Sequence, residues 1–203
     1  MTNRSFKRKM SPKTANQNEI IRQQSTKKIL EAAFVLFARK GYESTSIAQI
    51  SKEAGVSKGL LYNYFQSKED LLTTLVNNAI NEGDHLMGEI VNDNPSDTLR
   101  NLFEWFFNDL SNRPDHWKLI TELTFKIDKF QFVHDIFTQK MNEYVAFIEN
   151  ILAQMAYENP REEARLITSM FDGIGIQYLV IREDYPLEEI KEFLIKKYCE
   201  QKN

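Results

Sequence analysis

The sequence predicts an all-helical protein, with a small basic head of short helices in front of a larger helical body. Three observations carry that prediction. The 203 residues include only seven Gly and five Pro, few for an architecture of strands and tight turns. Apolar residues recur three and four apart along most of the chain, and no segment shows convincing strand alternation. Ser, or Asn followed by Pro, stands before many of these periodic stretches, where helices begin. The chain contains no internal repeat.

Residues 1 to 18 hold Arg4, Lys7, Arg8, Lys9 and Lys13 among polar residues and Pro12. With almost no core-forming side chains, they read as a disordered basic arm. A first helix runs from Glu19 or Gln24 to Lys40, with Ile29, Ala33, Leu36 and Phe37 as its apolar stripe and Gly41 as its stop. Tyr42 is expected to pack on the head.

The next segment is the most informative. Ser46 can cap a short helix, and Gln49 three residues on completes a capping box. Ile47, Ile50 and Ala54 share one face of that helix. Gly55 stands where a left-handed residue often ends a helix, and Val56 can tuck beneath the turn. Ser57 can cap a third helix that buries Leu61 and Phe65. Two helices joined by a short turn with glycine form a helix-turn-helix, whose second helix enters the major groove of DNA.

Ser67 caps a long fourth helix reaching about Val91, with Asp70 placed favourably for the helix dipole. Asn94-Pro95 opens a fifth helix striped by Leu99, Leu102, Phe103, Phe106 and Leu110. Pro114 opens a sixth, to about Lys126. After a break near Asp128, a seventh carries Phe132 to Met155. Asn159-Pro160 opens an unusually apolar eighth that ends near Arg182, and Tyr185-Pro186 opens the last.

Charge divides the chain as the helices do. Residues 1 to 68 contain thirteen Lys or Arg against four Glu, a charge of +9. The remainder has thirteen against twenty-five Asp or Glu, a charge of −12. A cationic head on an acidic body suits a polyanion at the head end. A single cysteine, Cys199, excludes an internal disulfide and fits a reducing cytosol. No stretch approaches the ~20 apolar residues that span a bilayer. His85, His116 and His134 lack metal-ligand spacing. No phosphate-cradling glycine loop, nucleophile elbow or His-Glu-x-x-His is present. Neither an enzyme nor a cofactor is expected.

Residues 26 to 72 resemble the DNA-binding domain of the TetR/AcrR family of bacterial regulators. The likeness rests on Ile29, Ala32, Ala33, Leu36, Phe37, Gly41-Tyr42, Thr45, Ile50, Ala54-Gly55-Val56-Ser57-Lys58-Gly59, Leu61-Tyr62, Tyr64-Phe65, Lys68 and Leu71. A weaker echo lies at 171 to 179. The resemblance implies a helix-turn-helix DNA-binding domain over residues 19-66 and an effector-binding and dimerisation domain over 67-203.

Placement and family pattern together select the DNA contacts. Ser57 sits at a helix start, where backbone N–H groups also face a phosphate. Lys58 can reach phosphate or a guanine edge, and Asn63 can read adenine. Gly59 keeps the helix close to the DNA backbone. Leu60 stands where relatives often carry a small or polar residue; it can touch a thymine methyl or rest on the protein. Tyr62 and Tyr64 can donate to phosphates or fill core. Lys68, with Thr45 or Ser46, matches family phosphate contacts.

In the body, the resemblance implies a pocket for a small effector, with Phe103, Trp105, Phe106, Trp117, Phe125, Phe137, Tyr144, Met170 and Tyr178 as candidate lining. An aromatic cavity suits a flat or lipophilic ligand, although for any one of these residues ordinary core is the better reading at helical spacing. The family pairs its last two helices across a homodimer, which points to Leu166, Met170, Gly173, Ile174 and Phe193 as interface residues. The expected protein is a cytoplasmic, dimeric, ligand-responsive repressor of a near-palindromic operator. An activator and an architectural DNA-binding protein without effector are the alternatives.

Overall fold

The computed structural model describes residues 15–125 and 131–200, and every described element is helical. The head comprises α1 (Ala15–Lys40), α2 (Ile47–Glu53) and α3 (Lys58–Tyr64). The body follows as α4 (Lys68–Ile90), α5 (Pro95–Asn112), α6 (Pro114–Thr124), α7 (Gln131–Gln154), α8 (Pro160–Ile181) and α9 (Leu187–Cys199), with a single 3-10 turn at Arg182–Asp184 before α9. Residues 15–18, expected in a disordered arm, form the first turn of α1. The rest of that arm, and the break expected near Asp128, lie outside the described residues.

Local chemistry explains most of the boundaries. Ser46 and Gln49 form the capping box of α2, Gln49 Oε1 accepting from the Ser46 amide at 2.8 Å. Gly41 ends α1 with φ +82°, a left-handed conformation that an L side chain rarely adopts. Ser67 accepts from the Asp70 amide at 3.0 Å to start α4, and Asn94 accepts from the Ser96 amide at 2.9 Å to start α5. Asn159 makes no such bond, and at α8 the signal is Pro160 at the first helical position.

Two apolar clusters hold the chain. The first gathers Ile29, Ala33, Phe37, Ile50, Leu61, Phe65 and Leu72 of the head and early α4. It also takes in Leu119 and Leu123 of α6 and Val133 of α7, so the packing of the head runs on into the body. The second lies among α5, α7, α8 and α9 around Phe103, Phe106, Ile148, Leu152, Ile167 and Leu194.

A further seam joins head to body. The Tyr42 amide donates to Glu122 Oε1 of α6 at 3.3 Å, and the Phe34 ring of α1 lies 6.2 Å from His116 of α6. Lys68, at the start of α4, donates to the carbonyls of Tyr42 at 2.8 Å and Thr45 at 3.0 Å.

Candidate nucleic-acid interface

The α2–turn–α3 unit is built from short-range bonds. The Ala54 amide closes α2 on Ile50 O, Gly55 follows with φ +66°, and the Val56 amide returns to Ser51 O at 2.9 Å. Ser57 then caps α3, its Oγ accepting from the Leu60 amide at 3.1 Å. Leu61 is fully buried and Phe65 nearly so, which seats α3 on Ile29, Phe37 and Ile50. The opposite side of α3 is left open.

That open side carries much of what the sequence singles out. Ser57, Lys58, Gly59 and Asn63 are exposed, and Tyr62 is 55% exposed despite its large ring. Leu60 is half-buried. A Cβ built on Gly59 would meet nothing nearer than Ser57 Oγ at 4.0 Å. Nothing within the chain therefore demands glycine there.

Three expected contact residues sit differently. Thr45 is 2% exposed, and its hydroxyl donates inward to Gly41 O at 2.8 Å and Leu36 O at 3.3 Å. Its side chain is a buried brace for the α1–α2 turn, leaving the neighbouring Ser46 as the exposed residue. Lys68, expected at the phosphate backbone, directs its ammonium to two main-chain oxygens and lies 4.1 Å from the centre of the Tyr42 ring. Tyr64 is half-buried against the head core, under the Arg22 guanidinium at 5.9 Å. Burial, followed by the charges of Glu69 and Glu43, raises the Tyr42 phenol above its ordinary pKa.

Comparison with known proteins gives this geometry its context. A sequence model described as bacterial regulatory proteins, tetR family, matches residues 29–75. The HTH-type transcriptional regulator BetI of Yersinia pestis is 30% identical over 182 residues, which cover 85% of this chain and 89% of BetI. The chain belongs to the TetR family. It is a DNA-binding transcriptional regulator, in a family of regulators rather than enzymes. YuxN of Bacillus subtilis, an uncharacterised HTH-type regulator, is 55% identical, but over 51 residues that cover 25% of this chain and 18% of YuxN. The match therefore spans less than a fifth of that relative. In fold, the TetR chain is similar to the fatty acid degradation regulator FadR of Bacillus halodurans, with a TM-score of 0.70 over 86% of this chain and 94% of FadR at 19% identity.

The body of this TetR-family chain encloses a cavity of about 740 Å³. Its walls come from α4, α5, α6, α7 and α8, with Phe34 of α1. Trp105, Phe106, Trp117, Phe125, Phe137 and Tyr144 line it as expected. Phe103, Met170 and Tyr178 do not. Phe103 is completely buried in the second cluster, edge-on to Phe171 at 5.7 Å, while Met170 and Tyr178 pack against that cluster from outside. Periodicity alone could not separate the faces of α5 and α8. Residues that the sequence did not mark as lining complete the walls, notably Leu75, Val76, Ile80 and Met87 of α4 and Phe171 and Asp172 of α8.

Polar groups in the cavity are largely paired. Asp109 accepts from Arg113 Nε at 2.7 Å and from Trp117 Nε1 at 2.9 Å, and Arg113 also reaches Glu82 at 2.7 Å. Burial, then the Arg113 charge, lowers the pKa of His116. Among the described residues, no group of His, Cys, Asp and Glu could hold a metal ion, and no helix is long and apolar enough to cross a membrane.

An apolar strip faces outward on α8, and α9 exposes Phe193. Leu166 is 55% exposed, Val180 77% and Phe193 62%; Ile176, 40% exposed, also lines the cavity. Leu166, Gly173, Ile176 and Val180 fall on one side of α8 by helical spacing, and Gly173 has open space where a Cβ would stand. Ile174 points the other way, buried in the second cluster, so its side chain is not part of this strip.

Proposed function

We propose that this regulator is a cytoplasmic repressor that binds a near-palindromic operator as a dimer and is released when a small apolar or aromatic effector enters the body cavity. The strip on α8, with Phe193 of α9, supports pairing of two copies, since an exposed apolar face of this kind is usually covered by a partner. In such a dimer, the two α3 helices would enter successive major grooves about 34–36 Å apart. Ser46, Ser57, Lys58, Tyr62 and Asn63 would supply phosphate and base contacts, with Gly59 allowing close approach and Leu60 at the margin. Tyr64 and Lys68 would act mainly by fixing α3 and the α1–α2 turn.

One observation carries the coupling. Helix α4 lines the cavity through Leu75, Val76, Ile80 and Met87, and the same helix starts at Lys68, whose ammonium is bonded to Tyr42 and Thr45 in the head. A ligand that displaces α4 therefore acts on the head and on the separation of the two α3 helices. A coupling of ~1–3 kcal/mol between effector and operator is typical of such devices.

Selection of bound DNA from a random pool tests the first part. An enriched inverted repeat, with its half-sites about one helical turn apart, is expected. Binding with no preferred site would favour an architectural role. A reporter driven by the selected site then separates repression from activation. Operator affinity that stays constant under every compound shown to occupy the cavity would sink the effector mechanism.

A further inference from the structure

The charges around the cavity restrict the class of its ligand, given the reading of that cavity as an effector site. Two described cations line it, Arg113 and Lys140. Each is already matched by more than one carboxylate. Arg113 binds Asp109 and Glu82. Lys140 Nζ lies 2.8 Å from Asp84 Oδ2 and 2.6 Å from Glu143 Oε2. His116, the remaining basic group in the lining, is held towards its neutral form by burial and by Arg113. Among the described residues, the wall offers no spare cation to receive a carboxylate or phosphate.

It does offer a spare anion. Asp172 of α8 lines the same cavity with no hydrogen-bond or ion-pair partner among the described residues. Its carboxyl stands at the edge, still reached by solvent, and desolvation by the surrounding wall raises its pKa above the ordinary carboxylate value. Beside it on α8, Phe171 stacks on Phe106 with ring centres 4.0 Å apart, and Phe106 meets Trp117 edge-to-face at 5.3 Å. Aromatic faces attract organic cations, and an unpaired carboxylate at the rim of an apolar cavity gains most from a ligand of opposite charge.

We propose that the effector is a lipophilic organic cation, its apolar body lying on the Phe106–Phe171–Trp117 wall and its charge facing the Asp172 carboxylate. Both tryptophans of the chain, Trp105 and Trp117, line the cavity, so tryptophan fluorescence reports its occupancy. The test is a titration of the full-length protein with tetraphenylphosphonium and, separately, with tetraphenylborate, ions of similar size and shape but opposite charge.

Saturable quenching is expected with the phosphonium ion, with affinity at least about tenfold above that for the borate. Asp172→Asn should weaken phosphonium binding by about two- to fivefold, and Asp172→Glu should retain it. The melting curve of each variant checks folding. Equal or tighter binding of the borate, or an unchanged phosphonium affinity in folded Asp172→Asn, overturns the cationic class while leaving the cavity as a ligand site. Failure of both ions to bind overturns the proposal alone; the effector role of the cavity is read separately, from operator affinity under compounds shown to occupy it. The selected-DNA experiment reads the operator function independently of either result.

Discussion

Glu122 closes on Gly41 so tightly that a Cβ at position 41 would lie 2.9 Å from Glu122 Oε1. The two residues belong to different parts of the molecule, the stop that follows the first head helix and the last turn of α6. The same carboxylate oxygen accepts the Tyr42 amide. The turn that leads from α1 into the helix-turn-helix is thus seated directly on α6, a helix that walls the body cavity.

Gly41→Ala is therefore expected to destabilise the protein by about 1–3 kcal/mol, combining the strain of φ +82° with the displacement of Glu122. Urea unfolding measures it. Glu122→Ala in the same chain should relieve the steric part and leave the backbone part. A double variant no less stable than wild type would show that the left-handed backbone carries no cost.

Lys58 and Lys68 should separate by phenotype. Lys58 is exposed on α3, so Lys58→Ala should lower the slope of log affinity against log salt by about 1 and leave stability within about 0.5 kcal/mol. Lys68→Ala removes the donor to two carbonyls and should lower stability by about 1–3 kcal/mol. Parallel salt titrations and melting curves check both. An unchanged slope in Lys58→Ala would take Lys58 out of the phosphate contacts, and an unchanged melting temperature in Lys68→Ala would contradict its bracing role.

Val180→Glu places a charge at the C-terminal end of the exposed strip of α8. It should shift sedimentation from dimer to monomer at micromolar concentration while leaving the helical circular dichroism unchanged, because the side chain lies outside the core of its own subunit. Retention of a dimer would move the interface elsewhere.

His116 makes stability depend on pH. Burial, then Arg113, lowers its pKa from the ordinary 6.5. Below about 6.5 the unfolded chain takes up a proton that the folded chain resists, so stability falls as pH drops, until the pH passes the lowered folded value. His116→Gln should flatten the melting temperature between pH 6.5 and about 5, above the range where carboxylates dominate acid unfolding. Identical slopes in the two proteins would refute this assignment.

What the sequence determined by itself was everything written in short-range bonds. The caps at Ser46, Ser57, Ser67 and Asn94 close over two or three residues, and Gly55 marks its turn because the turn needs a left-handed residue. These local signals, with apolar spacing, define the helix-turn-helix and most helix ends. Tertiary structure alone decided which side of an apolar helix becomes core, cavity or open surface, since that depends on neighbours far along the chain. Phe103 and Phe106 lie one helical turn apart, yet only Phe106 reaches the cavity. Ile174 is covered while Leu166 on the same helix is open. The inward hydroxyl of Thr45, the Lys68 bonds across 23 and 26 residues and the Glu122–Tyr42 bond across 80 have no local signature. They arise only when α1, α4 and α6 pack together, and those contacts link the head to the ligand-sized space behind it.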